Sequence, residues 1–148
     1  MKFSKKSRYG IIALIDLSSR SKEDPISLSS IAERNSISLQ YLEQIFASLR
    51  VAGIVRSIKG PQGGYLLNHK AEEITAASII EATDGGYHLE DEEIPEDGKT
   101  YGILKTLQSE IIDKVNKELD ELLMNLTLVD LEKEYSAYRE YGQNMYYI

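Results

Sequence analysis

The 148-residue sequence predicts a mainly α fold of the α+β class, and three observations carry that reading. Two short apolar-periodic segments, each opened by serine, lie three residues apart. A glycine-rich hairpin follows them directly, and the second half holds an apolar stripe about six helical turns long.

The N-terminus, Met1-Lys2-Phe3-Ser4-Lys5-Lys6-Ser7-Arg8, is basic and leads into the apolar segment Tyr9 to Leu17. Asp16 interrupts that segment and no small-residue cleavage site follows, so it reads as a first helix, not a secretory leader, and the expected location is the cytoplasm. Leu28, Ile31 and Ala32 form an i, i+3, i+4 stripe, and Ser27, Ser29 and Ser30 can cap its start. After Asn35, Ser36 and Ile37, Ser38 stands before Leu39, Leu42, Ile45, Phe46, Leu49 and Ala52, a periodic run that stops at Gly53. So short a connection makes the two helices cross steeply, as in a helix-turn-helix whose second helix enters the major groove by its N-terminal end. Two strands are expected next, over Ile54 to Ile58 and Tyr65 to Leu67. Between them Lys59-Gly60-Pro61-Gln62-Gly63-Gly64 has the backbone freedom that a wing needs to lie against a sugar-phosphate edge. The whole is a winged helix-turn-helix, and double-stranded DNA is its expected partner.

Charge is split along the chain in the same sense. Residues 1–70 hold 11 Lys and Arg against 5 Asp and Glu, a net +6, whereas residues 71–148 hold 6 against 19, a net −13, within a total of −7. A basic first half can neutralise phosphates and release counterions, and an acidic second half turns only one face toward DNA. No apolar run approaches the ~20 residues of a membrane span. Cysteine is absent, which excludes disulfides, zinc-thiolate sites, cysteine-ligated clusters and thiol redox sensing by this chain. No nucleophile–base pairing and no Walker-type loop is legible around His69 or His88, so no enzymatic activity and no cofactor are expected.

Three segments follow from this: residues 1–83 as the DNA-binding domain, 84–100 as an acidic loop, and 101–148 as a dimerisation helix with an aromatic C-terminal helix and tail. In the last segment Leu104, Leu107, Ile111, Val115, Leu119, Leu122 and Leu126 recur at intervals of three and four. A stripe this long exceeds what a small winged domain covers, so it is the expected interface of a homodimer. Thr127 and Asp130 stand in a capping-box-like arrangement before Leu128 and Leu131. Tyr135, Tyr138, Tyr141, Tyr146 and Tyr147 then crowd into the last 14 residues, the composition of an interaction surface and not of a solvating tail. His88 beside the acidic run Glu90-Asp91-Glu92-Glu93 has no helical or strand spacing to converge ligands, so the loop is read as solvated and metal-free.

Four segments resemble one bacterial family of winged-helix regulators, that of IscR, NsrR and CymR. They are Ser4-x-Lys6-x-Arg8-Tyr9-Gly10, Ile37-Ser38-Leu39-x-Tyr41-Leu42-Glu43-Gln44, Leu49-Arg50-x-Ala52-Gly53-Ile54-Val55 and Lys59-Gly60-Pro61-x-Gly63-Gly64-Tyr65. The resemblance implies a homodimeric transcription regulator, with repression the expected sense, that reads a palindromic operator with one recognition helix and one wing per half-site. Members that sense iron or nitric oxide carry three cysteines in the loop before the long helix; here that loop has none. The cysteine-free loop and the Tyr-Ile ending are similar to the CymR branch, which implies control of cysteine and sulfur metabolism together with cysteine synthase. On that resemblance Tyr146, Tyr147 and Ile148 either enter the partner enzyme or pack on the neighbouring subunit.

Chemistry and the family pattern together assign the DNA contacts. Lys5, Lys6 and Arg8 suit phosphates, and Ser38, Gln40, Tyr41, Glu43 and Gln44 occupy the first turns of the recognition helix, where Gln can pair with adenine and Glu can accept from cytosine. Lys59, Gly60, Pro61, Gln62, Gly63 and Gly64 form the wing. Lys59 stands where the family commonly has arginine and Gln62 where it often has glycine. The alternative is a winged-helix interaction module whose DNA binding is lost or depends on a partner or small effector.

Overall fold

A computed structural model of the chain describes residues 3–20 and 23–146, with the Tyr146 side chain outside that description. It is largely helical. Helices α1 (Lys5–Arg20), α2 (Leu28–Asn35) and α3 (Leu39–Val51) precede the antiparallel strands β1 (Val55–Ile58) and β2 (Gly64–Leu67). A short 3-10 turn (Ala71–Glu73) leads to α4 (Ala76–Asp84). Beyond residues 85–100 run α5 (Tyr101–Leu107), a π-helical turn (Gln108–Ile112), α6 (Asp113–Leu123) and α7 (Leu128–Tyr146).

Local chemistry sets the boundaries of the DNA-binding half. The Ser27 hydroxyl accepts from the Ser30 N–H at the start of α2, and Ser38 accepts from Tyr41 N–H at the start of α3. Between them Ser36 adopts a left-handed conformation (φ 54°), which turns the chain sharply enough to bury Ile37 at the crossing. Gly53, with φ 79°, ends α3 as expected. Ile31, Leu42, Ile45, Phe46 and Leu49 meet Leu14 and Leu17 of α1 and Ile79 of α4 in one core.

The hairpin pairs Val55 with Leu67 and Ile58 with Gly64. It is not isolated. Ile26 and Tyr65 exchange backbone hydrogen bonds of 3.0 and 2.8 Å, so the residue just before the α2 cap ties the wing to the helix-turn-helix. The Tyr65 ring stands edge-on to Phe46 at 5.0 Å and fixes β2 against α3. At Gly64 a Cβ would collide with the Ile26 carbonyl, which accounts for glycine at this position.

Two features depart from the sequence reading. Helix α4 had no counterpart there, although Thr75 caps it through Ser78 N–H and Gly85 ends it in a left-handed conformation. The long amphipathic segment is broken by the π turn, whose extra residue rotates everything C-terminal to it relative to a continuous α pattern. Thr127 and Asp130 do form a reciprocal box, with bonds of 3.0 and 3.3 Å, and α7 continues through the aromatic segment as helix.

Candidate nucleic-acid interface

The exposed face of α3 is built by subtraction. Leu42, Ile45, Phe46 and Leu49 are buried, so helical periodicity leaves Gln40, Glu43, Gln44, Ala47 and Arg50 exposed, with Ser38 at the exposed N-terminal end. Tyr41 differs from these. It is half-buried, and its ring meets Tyr9 edge-on at 5.8 Å, seating α1 beside the first turn of α3.

The basic residues at the start of α1 lie further along α3, toward its last turns. Ser4 caps α1 by accepting from Ser7 N–H at 3.2 Å, while its own N–H and hydroxyl donate to Asp84 at the end of α4. Lys5 is exposed. Lys6 donates from Nζ to the Ser48 hydroxyl on α3 at 3.0 Å, so it braces the recognition helix and is half-buried. Arg8 folds back on Phe3, its guanidinium 4.8 Å from the ring centroid and Nε 3.2 Å from the carbonyl oxygen. In the wing, Lys59, Gly60, Pro61 and Gln62 are exposed, and Gly63 N–H donates to Gly60 carbonyl to close the tip.

The scaffold behind this face is pinned by a buried carboxylate. Asp16 accepts from Arg34 Nη2 at 2.6 Å and Nε at 3.1 Å and from Asn35 Nδ2 at 2.9 Å, locking α1 to the end of α2. Burial alone would raise its pKa. The hydrogen bonds from Arg34 and Asn35 and the charges of Arg34 and Arg20 outweigh it and hold the carboxyl below its ordinary value.

The acidic loop exposes most of its carboxylates, as expected of a solvated segment, but residues 87–92 are fastened to the long helix. Tyr87 is buried, and its hydroxyl donates to Asp120 Oδ1 at 2.5 Å, an oxygen that also lies 2.8 Å from His88 Nε2. The Leu89 N–H donates to Asn116 Oδ1 at 2.7 Å and Asn116 Nδ2 returns a bond to the Leu89 carbonyl. Glu92 N–H donates to Gln108 Oε1, and Gln108 Nε2 donates to Asp91. Gln108, Asn116 and Asp120 thus hold residues 87–92 along one side of the long helix as a ladder. Burial, then the Asp120 carboxylate, push the Tyr87 hydroxyl up to about 12, while hydrogen bonds from Tyr87 and His88 hold Asp120 below the usual carboxylate range.

The long apolar stripe divides between two directions. Leu119 packs on Ala77, Ile80 and Tyr87, and Leu126 joins it in lining an apolar cavity of about 380 Å³ with Ile11 and Leu123. These two residues, expected at a dimer interface, therefore face their own chain: they form the edge of the stripe that meets α1 and α4, and Val115 and Leu122 form the other edge. Ile111, Val115 and Leu122 remain exposed, Leu122 at 61%, and Leu104 and Leu107 are half-buried. Tyr147 and Ile148 lie outside the described residues, as does the Tyr146 side chain.

With this geometry in view, the model of the Rrf2 family, described as an iron-dependent transcriptional regulator, matches residues 3–134. The chain belongs to the Rrf2 family. Among similar proteins, IscR of Pectobacterium carotovorum is 37% identical over 144 residues, covering 93% of this chain and 88% of the relative. The solved structure of CymR, the global cysteine regulator of B. subtilis, is 36% identical with a TM-score of 0.75, over 90% of this chain and 98% of CymR. IscR of T. potens gives a TM-score of 0.67 at 37% identity, over 91% and 88%. This Rrf2 chain is accordingly a winged-helix, DNA-binding transcriptional regulator and not an enzyme. No helix among the described residues is long and apolar enough to cross a membrane.

The iron of the family description does not fit the donor set present. A cysteine-ligated cluster needs thiolates and the chain has none, and the described residues hold no group of three or more His, Asp or Glu placed to ligate a metal. The loop that would surround such a group is held instead by amide and carboxylate side chains of the long helix.

Proposed function

We propose that this Rrf2-family regulator binds a palindromic operator as a homodimer, without a cluster, and represses genes of cysteine and sulfur metabolism. The observation that carries the reading is the exposed strip Gln40, Glu43 and Gln44 behind Ser38 on α3, in a half of the chain that also exposes Lys5, Arg8 and the wing residue Lys59. Its side chains match the acceptors and donors of adenine and cytosine edges, while Lys5, Arg8 and Lys59 suit phosphates. The exposed Ile111, Val115 and Leu122, continued by Leu104 and Leu107, support the dimer: water-exposed aliphatic side chains on one long helix are stabilised by a second copy.

Two observations support the sulfur assignment, the likeness to CymR and the absence of cysteine. Cysteine synthase is the proposed co-regulator, engaging the C-terminal Tyr146, Tyr147 and Ile148. The test is selection of fragmented genomic DNA by the purified protein at two salt concentrations. Enrichment of palindromic sites beside sulfur-uptake or cysteine genes is the expected result. Enrichment of unrelated sites overturns the sulfur assignment, and no enrichment with or without added cysteine synthase overturns the operator reading. Deleting Tyr147 and Ile148 is expected to abolish calorimetric binding of the enzyme; unchanged affinity overturns that partnership.

A further inference from the structure

Helix α3 carries one large aliphatic side chain at its N-terminal end that the fold does not use. Leu39 is the first helical residue after the Ser38 cap, is 41% exposed, and is not among the side chains packed on the core. The apolar positions that seat this helix start are its neighbours: Ile37 before the cap and Leu42 in the second turn, both buried, stand where a hydrophobic staple stands. Leu39 is thereby free of a structural task.

A single exposed aliphatic residue is ordinary on a protein surface. Its place gives this one meaning. Leu39 lies one turn before Glu43 and two before Ala47, both exposed, so one strip of α3 presents an isobutyl group, a carboxylate and a methyl in sequence. This is the end of the helix that enters the major groove. Among the base-edge groups displayed there, the thymine C5-methyl is the apolar one, and a leucine that neither donates nor accepts hydrogen bonds can recognise no other.

We propose that Leu39 determines sequence specificity by packing on the methyl group of a thymine, one or two base steps from the cytosine whose amino group Glu43 accepts from. The spacing follows from geometry: side chains at i and i+4 are about 5–6 Å apart at Cβ, against a rise of about 3.4 Å per base pair. The inference rests on α3 being the recognition helix.

The experiment uses the full chain. A preferred duplex is selected from random DNA, then remade with deoxyuridine in place of each thymine in turn, which removes only the methyl. Wild type is expected to lose about fourfold in affinity at one thymine per half-site, the scale of one buried methyl group. Leu39→Ala loses that sensitivity, and Leu39→Met, which keeps apolar surface, retains it. Val51→Ala is the control, since Val51 is 86% exposed at the other end of the same helix; it responds as wild type does. Equal sensitivity of Leu39→Ala and wild type at every thymine overturns the proposal while leaving DNA recognition by α3 intact. If wild type selects no sequence, the recognition-helix reading fails and the proposal with it.

Discussion

At the residue scale, Asp16 shows how one side chain can hold a reading head in place. It gathers three hydrogen bonds from Arg34 and Asn35 with little exposure to water, so removing it strands a guanidinium and an amide at once. Asp16→Ala is expected to lower unfolding stability by roughly 2–3 kcal/mol, read from urea midpoints. The pH dependence has a definite sign. Because the folded carboxyl titrates below its ordinary 3.8, its contribution is complete above that value and is lost as the pH falls further through the folded value. In Asp16→Asn this part of the acid sensitivity disappears, which parallel acid titrations of the two proteins would reveal. Gly64 is constrained by backbone instead of charge. Gly64→Ala forces its Cβ into the Ile26 carbonyl, and a loss of about 1–3 kcal/mol is expected with the wing detached from the start of α2, read as faster amide exchange at Ile26 and Tyr65.

Between single residues and the whole molecule stands the contact of the 87–92 segment with the long helix. Gln108, Asn116 and Asp120 fall at spacings of eight and four, so all three rise from one side of the helix and meet an extended segment running the other way. The central rung is the most telling. Asn116 both accepts from and donates to the Leu89 backbone, a two-way bond that only an amide at that position makes. Asn116→Ala is expected to cost about 1 kcal/mol and to leave the fold intact while the Leu89 amide loses its exchange protection. Asn116→Asp, which keeps the acceptor and loses the donor, retains part of that protection.

On the scale of the whole molecule, two apolar surfaces of the long helix have separate duties. One side, with Leu119, Leu123 and Leu126, closes on α1, α4 and Tyr87; the other, with Ile111, Val115 and Leu122, faces water. A glutamate placed at Val115 or Leu122 is expected to yield a monomer in sedimentation whose thermal midpoint no longer rises with protein concentration, because neither residue packs within its own chain. The same change at Leu119 is expected to lower the midpoint below that of those monomeric variants, since it buries a charge in the apolar cavity. Coupled loss of operator affinity in the Val115 and Leu122 variants follows if two half-sites are read together. A monomeric wild type would overturn the dimer.

What the sequence by itself determined is what short-range chemistry encodes. The serine caps, the 3.6-residue periodicity of α2 and α3, the glycines of the wing and the Thr127–Asp130 box are each written within a few residues, and the structure places helices and hairpin there within a residue or two. The absence of cysteine is likewise final from composition. Helix α4 was legible in principle, from Thr75 and Gly85 bracketing Ile79 and Ile80, but its shortness gave periodicity little room to speak. The tertiary structure alone decided the rest. That Lys6 braces Ser48, that Ile26 pairs with Tyr65, and that Tyr87 and Leu89 are fastened to Asp120 and Asn116 are contacts between residues 27 to 42 positions apart, and no local pattern records them. Which leucines of the long stripe face inward also escaped the sequence. Val115, Leu119, Leu122 and Leu126 belong to one periodic stripe, and which edge of it closes on α1 and α4 depends on how the helix docks on the rest of the chain, which spacing along the sequence does not record.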